Sequence, residues 1–455
     1  MQTTILFSII GLLYLNSAAF AKLDMAPPNF TINKGQGNAV FVDFTSADYE
    51  ITYDVKKATT TVISKIHFTN EERGFPIFDL VEKPMRVVID GKSTDSQIIE
   101  APRSGEDELI EFRIVSEPID PGNHLLVIEH QIKSTQYSKG GVNSGFFMSD
   151  IGSRALLERY LPCNFEYDQL SMRFMIKVIG ATEEEVIFTN GKLKQEGNNL
   201  WSIAFPNYFN QSSVYFHIRE KAGTDILHFE HRSIDDRNMP ITIYKTSRGD
   251  MEEYKNLTVK TLSKFENLFG AFPHPTLTIY IGGNGGGMEY SGATVTDAWA
   301  LPHELAHSFF GRGVMPANGN AGWIDEAMAT LVGGPYAADP NDIRAMNMSN
   351  HSVYYRDNDS NGYTYGMNFL AFLGIQFSKK NNALNMNGFL KTWMEIADHH
   401  VTTVQMLQNN LENYSQLDLN SLFQKYVFGK SKIINKFNLP NPHMKIDDET
   451  LTQIQ

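Results

Sequence analysis

Alternation of apolar and polar positions dominates the first half of the chain. Ala39-Val40-Phe41-Val42-Asp43-Phe44 and Thr60-Thr61-Val62-Ile63-Ser64-Lys65-Ile66-His67-Phe68 suit half-buried strands, as do residues 109–115 and 125–132. Turn formers separate them: Asp90-Gly91, Arg103-Ser104-Gly105 and Asp120-Pro121-Gly122. Strands at this spacing predict a β-sandwich or saddle-like sheet domain over residues 22–225. The stretch KGGVNSGFF at 139–147 reads as a glycine loop, without the Lys and Ser/Thr spacing of a phosphate loop.

From residue 226 the period changes. Tyr254, Leu257, Val259, Leu262, Phe265 and Leu268 recur at helical spacing, so a helix is expected over 251–268, ending at Gly270. A strand at 277–281 follows, then the glycine-rich run 282–287. Further helices are expected at 368–377, 389–394 and 419–428, with His399 and His400 exposed in a polar turn. Together the pattern predicts an α+β multidomain chain, with a second domain over 226–430 and a polar tail over 431–455.

Composition narrows the function. The net charge of −13 excludes the clustered basic surface that nucleic acid binding requires. The single cysteine, Cys163, excludes an internal disulfide. Residues 1–21 read as a secretory signal peptide: the apolar run 5–15 is too short to span a bilayer, and Ala19-Phe20-Ala21 fits the small-x-small rule for cleavage. The expectation is an exported protein, periplasmic or extracellular, with no stable membrane association after cleavage.

The chemistry concentrates in LPHELAHSFFGRGVMPANGNAGWIDEAMATL, residues 301–331. On a helix, His303 and His307 stand one turn apart on one face and present two imidazoles to one point. Glu304 lies beside them, suited to act as a general base rather than a ligand. Glu326, separated from His307 by eighteen intervening residues, supplies a third ligand once the glycine- and asparagine-rich loop reverses the chain into a second helix, expected at 324–331. Two histidines and one glutamate form a known hydrolytic shell for one Zn²⁺.

These residues carry a family resemblance. HELAHSFFG and WIDEAMA resemble the gluzincin aminopeptidases of the aminopeptidase N family, which show HExxHxWFG and then a glutamate in W-L-x-E-G-x-A. Phe309, Arg312 and Ala327 depart from that pattern, and none is a ligand. Residues 158–166, ERYLPCNFE, partly match the family's R-x-x-FPCFDEP stretch, with Glu166 favoured as a structural carboxylate. Gly286-Gly287-Met288-Glu289-Tyr290 resembles the family's G-x-M-E-N, with Tyr290 in place of Asn. The resemblance implies that Gly286, Gly287 and Met288 line the substrate cleft and that Glu289 binds a substrate's free α-amine. It also implies a catalytic tyrosine in a Y-x-x-G turn, assigned to Tyr363 with Tyr365 as the alternative, whose phenol steadies the oxyanion. The implied fold of 226–430 is a thermolysin-like α/β-then-helical zinc peptidase domain, and the chain stops where large members add a helical domain, predicting a more open cleft. The implied activity is zinc-dependent removal of N-terminal residues from peptides or proteins. A zinc endopeptidase on the same site, or a non-catalytic peptide-binding protein, is the alternative.

Overall fold

The computed structural model describes residues 26–430, apart from 33–34, 103–108, 148–156, 166–167, 247–248, 283–285, 318 and 355–356. The expected signal segment 1–21, the tail 431–455, Glu166 and part of the glycine run lie outside the described residues.

The first half is built on an eight-stranded sheet. Its centre is the antiparallel ladder of Asp43–Asp54, Thr59–Asn70 and Gly122–Ile132, with Ser171–Ile179 joining Asp43–Asp54 in parallel. Because side chains alternate across a strand, Ala47, Tyr49, Ile51 and Tyr53 all reach one buried face. There they meet a four-stranded sheet that includes Phe216–Glu220 and Val142–Gly145. Phe146 packs against Phe174 and Phe216 between the two.

Two local expectations fail here. KGGVNSGFF is not a loop throughout, since Val142–Gly145 is a strand paired with Phe216–Glu220. Its glycine answers to packing rather than flexibility: a Cβ at Gly145 would stand 2.3 Å from the Phe147 ring. The apolar run 39–44 is likewise split between strands Gly37–Val40 and Asp43–Asp54, which lie in different sheets.

The second half is a five-stranded mixed sheet covered by helices. The strand order is Asp225–Arg232, Asn238–Lys245, Leu277–Ile281, Ala293–Thr296, Gly287–Tyr290, the last at an edge. Helix α1 (Met251–Phe269) makes the crossover between the parallel pair Asn238–Lys245 and Leu277–Ile281. Asp250 caps its first turn by accepting from the Glu252 N–H, and Gly270 ends it at φ +114°. Helices α2 (Leu301–Phe310) and α3 (Gly319–Gly333) follow, then α4 (Met367–Lys380), α5 (Met386–Ala397), α6 (Val404–Ser415) and α7 (Asn420–Tyr426). Leu305, Phe309, Trp323, Met328, Phe369 and Trp393 share one buried core. No helix among the described residues is long and apolar enough to cross a membrane.

Helix α3 begins at Gly319, five residues before its expected start, so Gly319, Asn320 and Gly322 are helical. Burial overrides their poor intrinsic propensity: Gly319, Ala321, Gly322, Trp323 and Ile324 are all buried. His399 is not an exposed turn residue. It stacks on Tyr208 at 3.8 Å between ring centroids, and its Nε2 hydrogen-bonds the Pro273 carbonyl at 2.8 Å.

Candidate metal centre

Helix α2 is apolar on nearly every side, which is the pattern of a helix enclosed by protein. Leu301, Leu305, Phe309 and Phe310 join the core, while Pro302 sits in the first turn, where it costs no hydrogen bond. The remaining face turns His303, Glu304 and His307 toward α3 and the edge strand Gly287–Tyr290. The helix ends as the Gly311 and Arg312 N–H groups both bond the His307 carbonyl.

Three ligand atoms converge. His303 Nε2 and His307 Nε2 are 3.0 Å apart, and Glu326 Oε2 is 3.5 Å from each. Ligands about 2.1 Å from a tetrahedral zinc stand about 3.4 Å from one another, so this triangle of 3.0, 3.5 and 3.5 Å matches one face of such a site. The protonation pattern agrees. His307 Nδ1–H donates to Asp325 Oδ1, which leaves Nε2 with its lone pair toward the other two ligands. The charge pattern agrees as well. Glu289, Glu304, Asp325 and Glu326 are all buried here, with the Arg312 guanidinium beside Glu289 and Asp325. Glu304 Oε2 is buried with no hydrogen-bond partner among the described residues. Burial first, and then the Glu289, Glu326 and Asp325 carboxylates, push the Glu304 carboxyl well above its usual range, with His307 opposing them. Glu304 holds its proton for the reason the site would hold a dication: negative charge is crowded there away from water. The donor set therefore fits zinc.

The edge strand places the residues around the ligands. Side chains alternate along Gly287–Tyr290, so Gly287 and Glu289 face α2 while Met288 and Tyr290 face away. Tyr290 is fully buried against Tyr215, 5.0 Å between ring centroids, which explains why its exchange for Asn leaves the site untouched. Gly287 leaves room for the Glu304 carboxylate, which a Cβ would meet at 2.1 Å. Glu289 Oε1 accepts from Arg312 at 2.7 Å. Gly286 and Met288 lie beside them, partly buried.

Tyr363 sits in a π-helical turn, Gly362–Gly366, which wraps against α3. Gly362 allows that approach, with the Trp323 backbone 3.1 Å from where its Cβ would be. The Tyr363 phenol donates to Glu326 Oε1 at 2.6 Å, and its ring lies 6.0 Å from that of His303. Tyr365 points elsewhere, toward the Arg344 guanidinium. The structure thus brings His303, Glu304, His307, Glu326, Glu289, Gly287 and Tyr363 together and leaves Tyr365 out.

Two residues were missed by sequence reasoning. Asp325 adjoins the ligand Glu326 and is fully buried on His307. Arg312, seen only as a departure from a motif, is buried between Asp325 and Glu289. The legible signal was a charged residue on each side of the glycine-rich connection between the two helices.

The helix pair with His303, His307 and Glu326 beside a sheet edge lies in a fold shared with solved zinc metallopeptidases. Solved structures agree at the level of fold. The M1 zinc metallopeptidase of Deinococcus radiodurans superposes with a TM-score of 0.62 at 14% identity, covering 93% of this chain and 100% of that one. Leukotriene A4 hydrolase from Saccharomyces cerevisiae gives 0.61 at 13%, covering 85% and 68%. Legionella pneumophila aminopeptidase A, solved with aspartic acid, gives 0.61 at 11%, covering 85% and 49%. No family model matches the sequence, and no curated protein matches it.

Proposed function

We propose that the chain is a zinc-dependent aminopeptidase acting on peptides or proteins. The observation that carries this is the triangle formed by His303 Nε2, His307 Nε2 and Glu326 Oε2, together with its likeness in fold to M1 zinc metallopeptidases. Zinc bound there supplies a Lewis acid that acidifies water and polarises a scissile carbonyl. Glu304, on the same face of α2, takes the proton from the attacking water and later gives it to the leaving amine. Tyr363 donates a hydrogen bond to the oxyanion as it develops. Gly286, Gly287 and Met288 present an edge-strand backbone against which an extended peptide can lie. Glu289 accepts the α-ammonium of the first residue, which fixes cleavage one residue in.

A second reading is an endopeptidase on the same site. It is favoured by the partner Glu289 already has in Arg312. One experiment separates the two: aminoacyl fluorogenic amides and amino-blocked peptides, each with and without a chelator. Chelator-sensitive cleavage of free-amine substrates alone supports the aminopeptidase. Cleavage of the blocked peptides assigns the endopeptidase, and silence on both with zinc present assigns a binding protein. Export rests on residues 1–21, and N-terminal sequencing of protein recovered outside the cytoplasm tests it.

A further inference from the structure

We infer that Arg312 is a positioning residue that couples the amine-recognition carboxylate to the metal ligand His307. The inference rests on the aminopeptidase reading only for the role of Glu289. Its geometric basis is separate. Arg312 is 1% exposed, and one terminal nitrogen donates to Glu289 Oε1 at 2.7 Å. The other lies 3.7 Å from Asp325 Oδ2 and donates to the Gly311 carbonyl at 3.1 Å. Asp325 in turn takes the Nδ1 proton of His307 through its other oxygen. Glu289 Oε1 also stands 3.9 Å from His307 Nδ1. One guanidinium therefore spans two buried carboxylates, and the second of them orients a zinc ligand.

Such a bridge needs arginine. The planar fork presents separate donors in fixed directions, whereas a lysine ammonium is a single point charge on a flexible stem. The chain builds the whole unit around the end of α2. Arg312 follows the helix directly, and the Asp325 carboxylate packs against Gly311.

The bridge has a direction. Arg312 lies closer to Glu289 than to Asp325. When the negative charge of Glu289 is cancelled, the guanidinium is released toward Asp325. Asp325 then shares its charge with Arg312 and holds the His307 proton less strongly, so Nε2 becomes a weaker donor. A substrate ammonium on Glu289 acts the same way, since it competes with Arg312 for one carboxylate. The amine site and the zinc site are then linked, and linkage is reciprocal.

The test measures zinc dissociation constants by competition with a chromophoric chelator, alongside KM and kcat. The proteins are the full chain and its Glu289→Gln, Arg312→Lys, Arg312→Gln and Glu289→Gln/Arg312→Gln variants, each checked for folding by circular dichroism. Glu289→Gln, whose carboxylate lies 3.9 Å from His307 Nδ1 in the wild type, is expected to weaken zinc roughly three- to tenfold, and the double variant, which lacks the guanidinium that would move onto Asp325, is expected to recover most of that loss, because coupled residues are not additive. Arg312→Lys is expected to behave like Glu289→Gln on zinc rather than like wild type. Unchanged zinc affinity in Glu289→Gln, additive effects in the double variant, or wild-type affinity in Arg312→Lys overturns the coupling. If Arg312→Gln alone fails to fold, the neutral double variant still decides the question. Failure of the aminopeptidase reading shows separately, as wild-type cleavage of amino-blocked peptides.

Discussion

Gly311 lies flat against the Asp325 carboxylate, so closely that a Cβ at position 311 would stand 1.9 Å from Oδ1 and 2.0 Å from Cγ. The backbone there is ordinary, at φ −124°, so the requirement for glycine is steric contact and not backbone strain. Gly311→Ala should therefore move Asp325 off His307 while leaving α2 intact. Loss of a partner that orients a metal ligand typically weakens metal binding by about 10- to 100-fold. The expected outcome is that loss in zinc affinity with a native far-ultraviolet circular dichroism spectrum. Unchanged affinity would show that Asp325 does not orient the ligand.

Glu304 is not one of the three donors of the His303, His307 and Glu326 triangle, yet with Glu289 it also comes within 4.8 Å of a His307 nitrogen, and substitution separates its two conceivable roles. Glu304→Gln keeps the shape of the side chain and removes the base. Zinc content should stay at one ion per chain while kcat falls by about 10²- to 10⁴-fold. Loss of zinc instead would make Glu304 a ligand.

Tyr363 and Tyr365 offer a matched pair within one π turn. Tyr363 reaches Glu326 Oε1, and Tyr365 lies with its ring 5.1 Å from the Arg344 guanidinium carbon. Tyr363→Phe should lower kcat by about 10²- to 10³-fold, the usual cost of one oxyanion donor, with KM little changed. Tyr365→Phe should leave both within a factor of two or so, because the ring contact survives. The reverse ranking would move the oxyanion role to Tyr365.

The convergence of His303, His307 and Glu326 was legible because it obeys local periodicity. The i, i+4 spacing of His303 and His307 needs only a helix, and Glu326 needs only a reversal. Helix α1 was legible for the same reason, from its apolar stripe. What escaped was set by packing between elements. Asp325 and Arg312 meet because Gly311 lets α3 close on α2, and no spacing in the chain encodes that contact. The start of α3 escaped because glycine and asparagine discourage helix until burial outweighs them. His399 escaped because its partners, Tyr208 and Pro273, lie more than a hundred residues upstream.

Three buried histidines make the fold acid-sensitive. Burial holds His130 down to about 4, and His217 and His274 down to about 3, from an ordinary value of 6.5. Each is neutral in the folded protein while the unfolded chain protonates, so between these values the unfolded state binds more protons. Stability is then fully present above pH 6.5 and is lost as pH falls toward 3 to 4. Glu185 works the other way. Burial raises its carboxyl from 4.5 to about 7, so its contribution is lost as pH rises through that window. The three histidines lower the melting temperature as pH falls from 6.5 to 4.5, against the opposing Glu185, Glu304 and Asp398 carboxyls, so their part is read from the change in slope on substitution. His217→Gln, which can keep hydrogen bonds to Asn143 and Tyr244, should flatten that slope. A slope unchanged by the substitution would remove His217 from the account.

Removal of zinc should destabilise the whole second half, not only silence it. Glu289, Glu304, Asp325 and Glu326 are each at most 4% exposed and crowd together, so a dication would offset their mutual repulsion. A ligand bound only by the folded state stabilises it by about 4 kcal/mol when present at a thousand times its dissociation constant. Chelation should therefore lower the melting temperature by several degrees, and re-addition of zinc should restore it. His303→Ala and Glu326→Ala should each abolish the response to added zinc. Glu304→Gln should keep it, because Glu304 is outside the ligand triangle. A melting temperature indifferent to chelator in the wild-type protein would mean that the converging nitrogens and oxygen hold no metal, and the peptidase reading would fall with them.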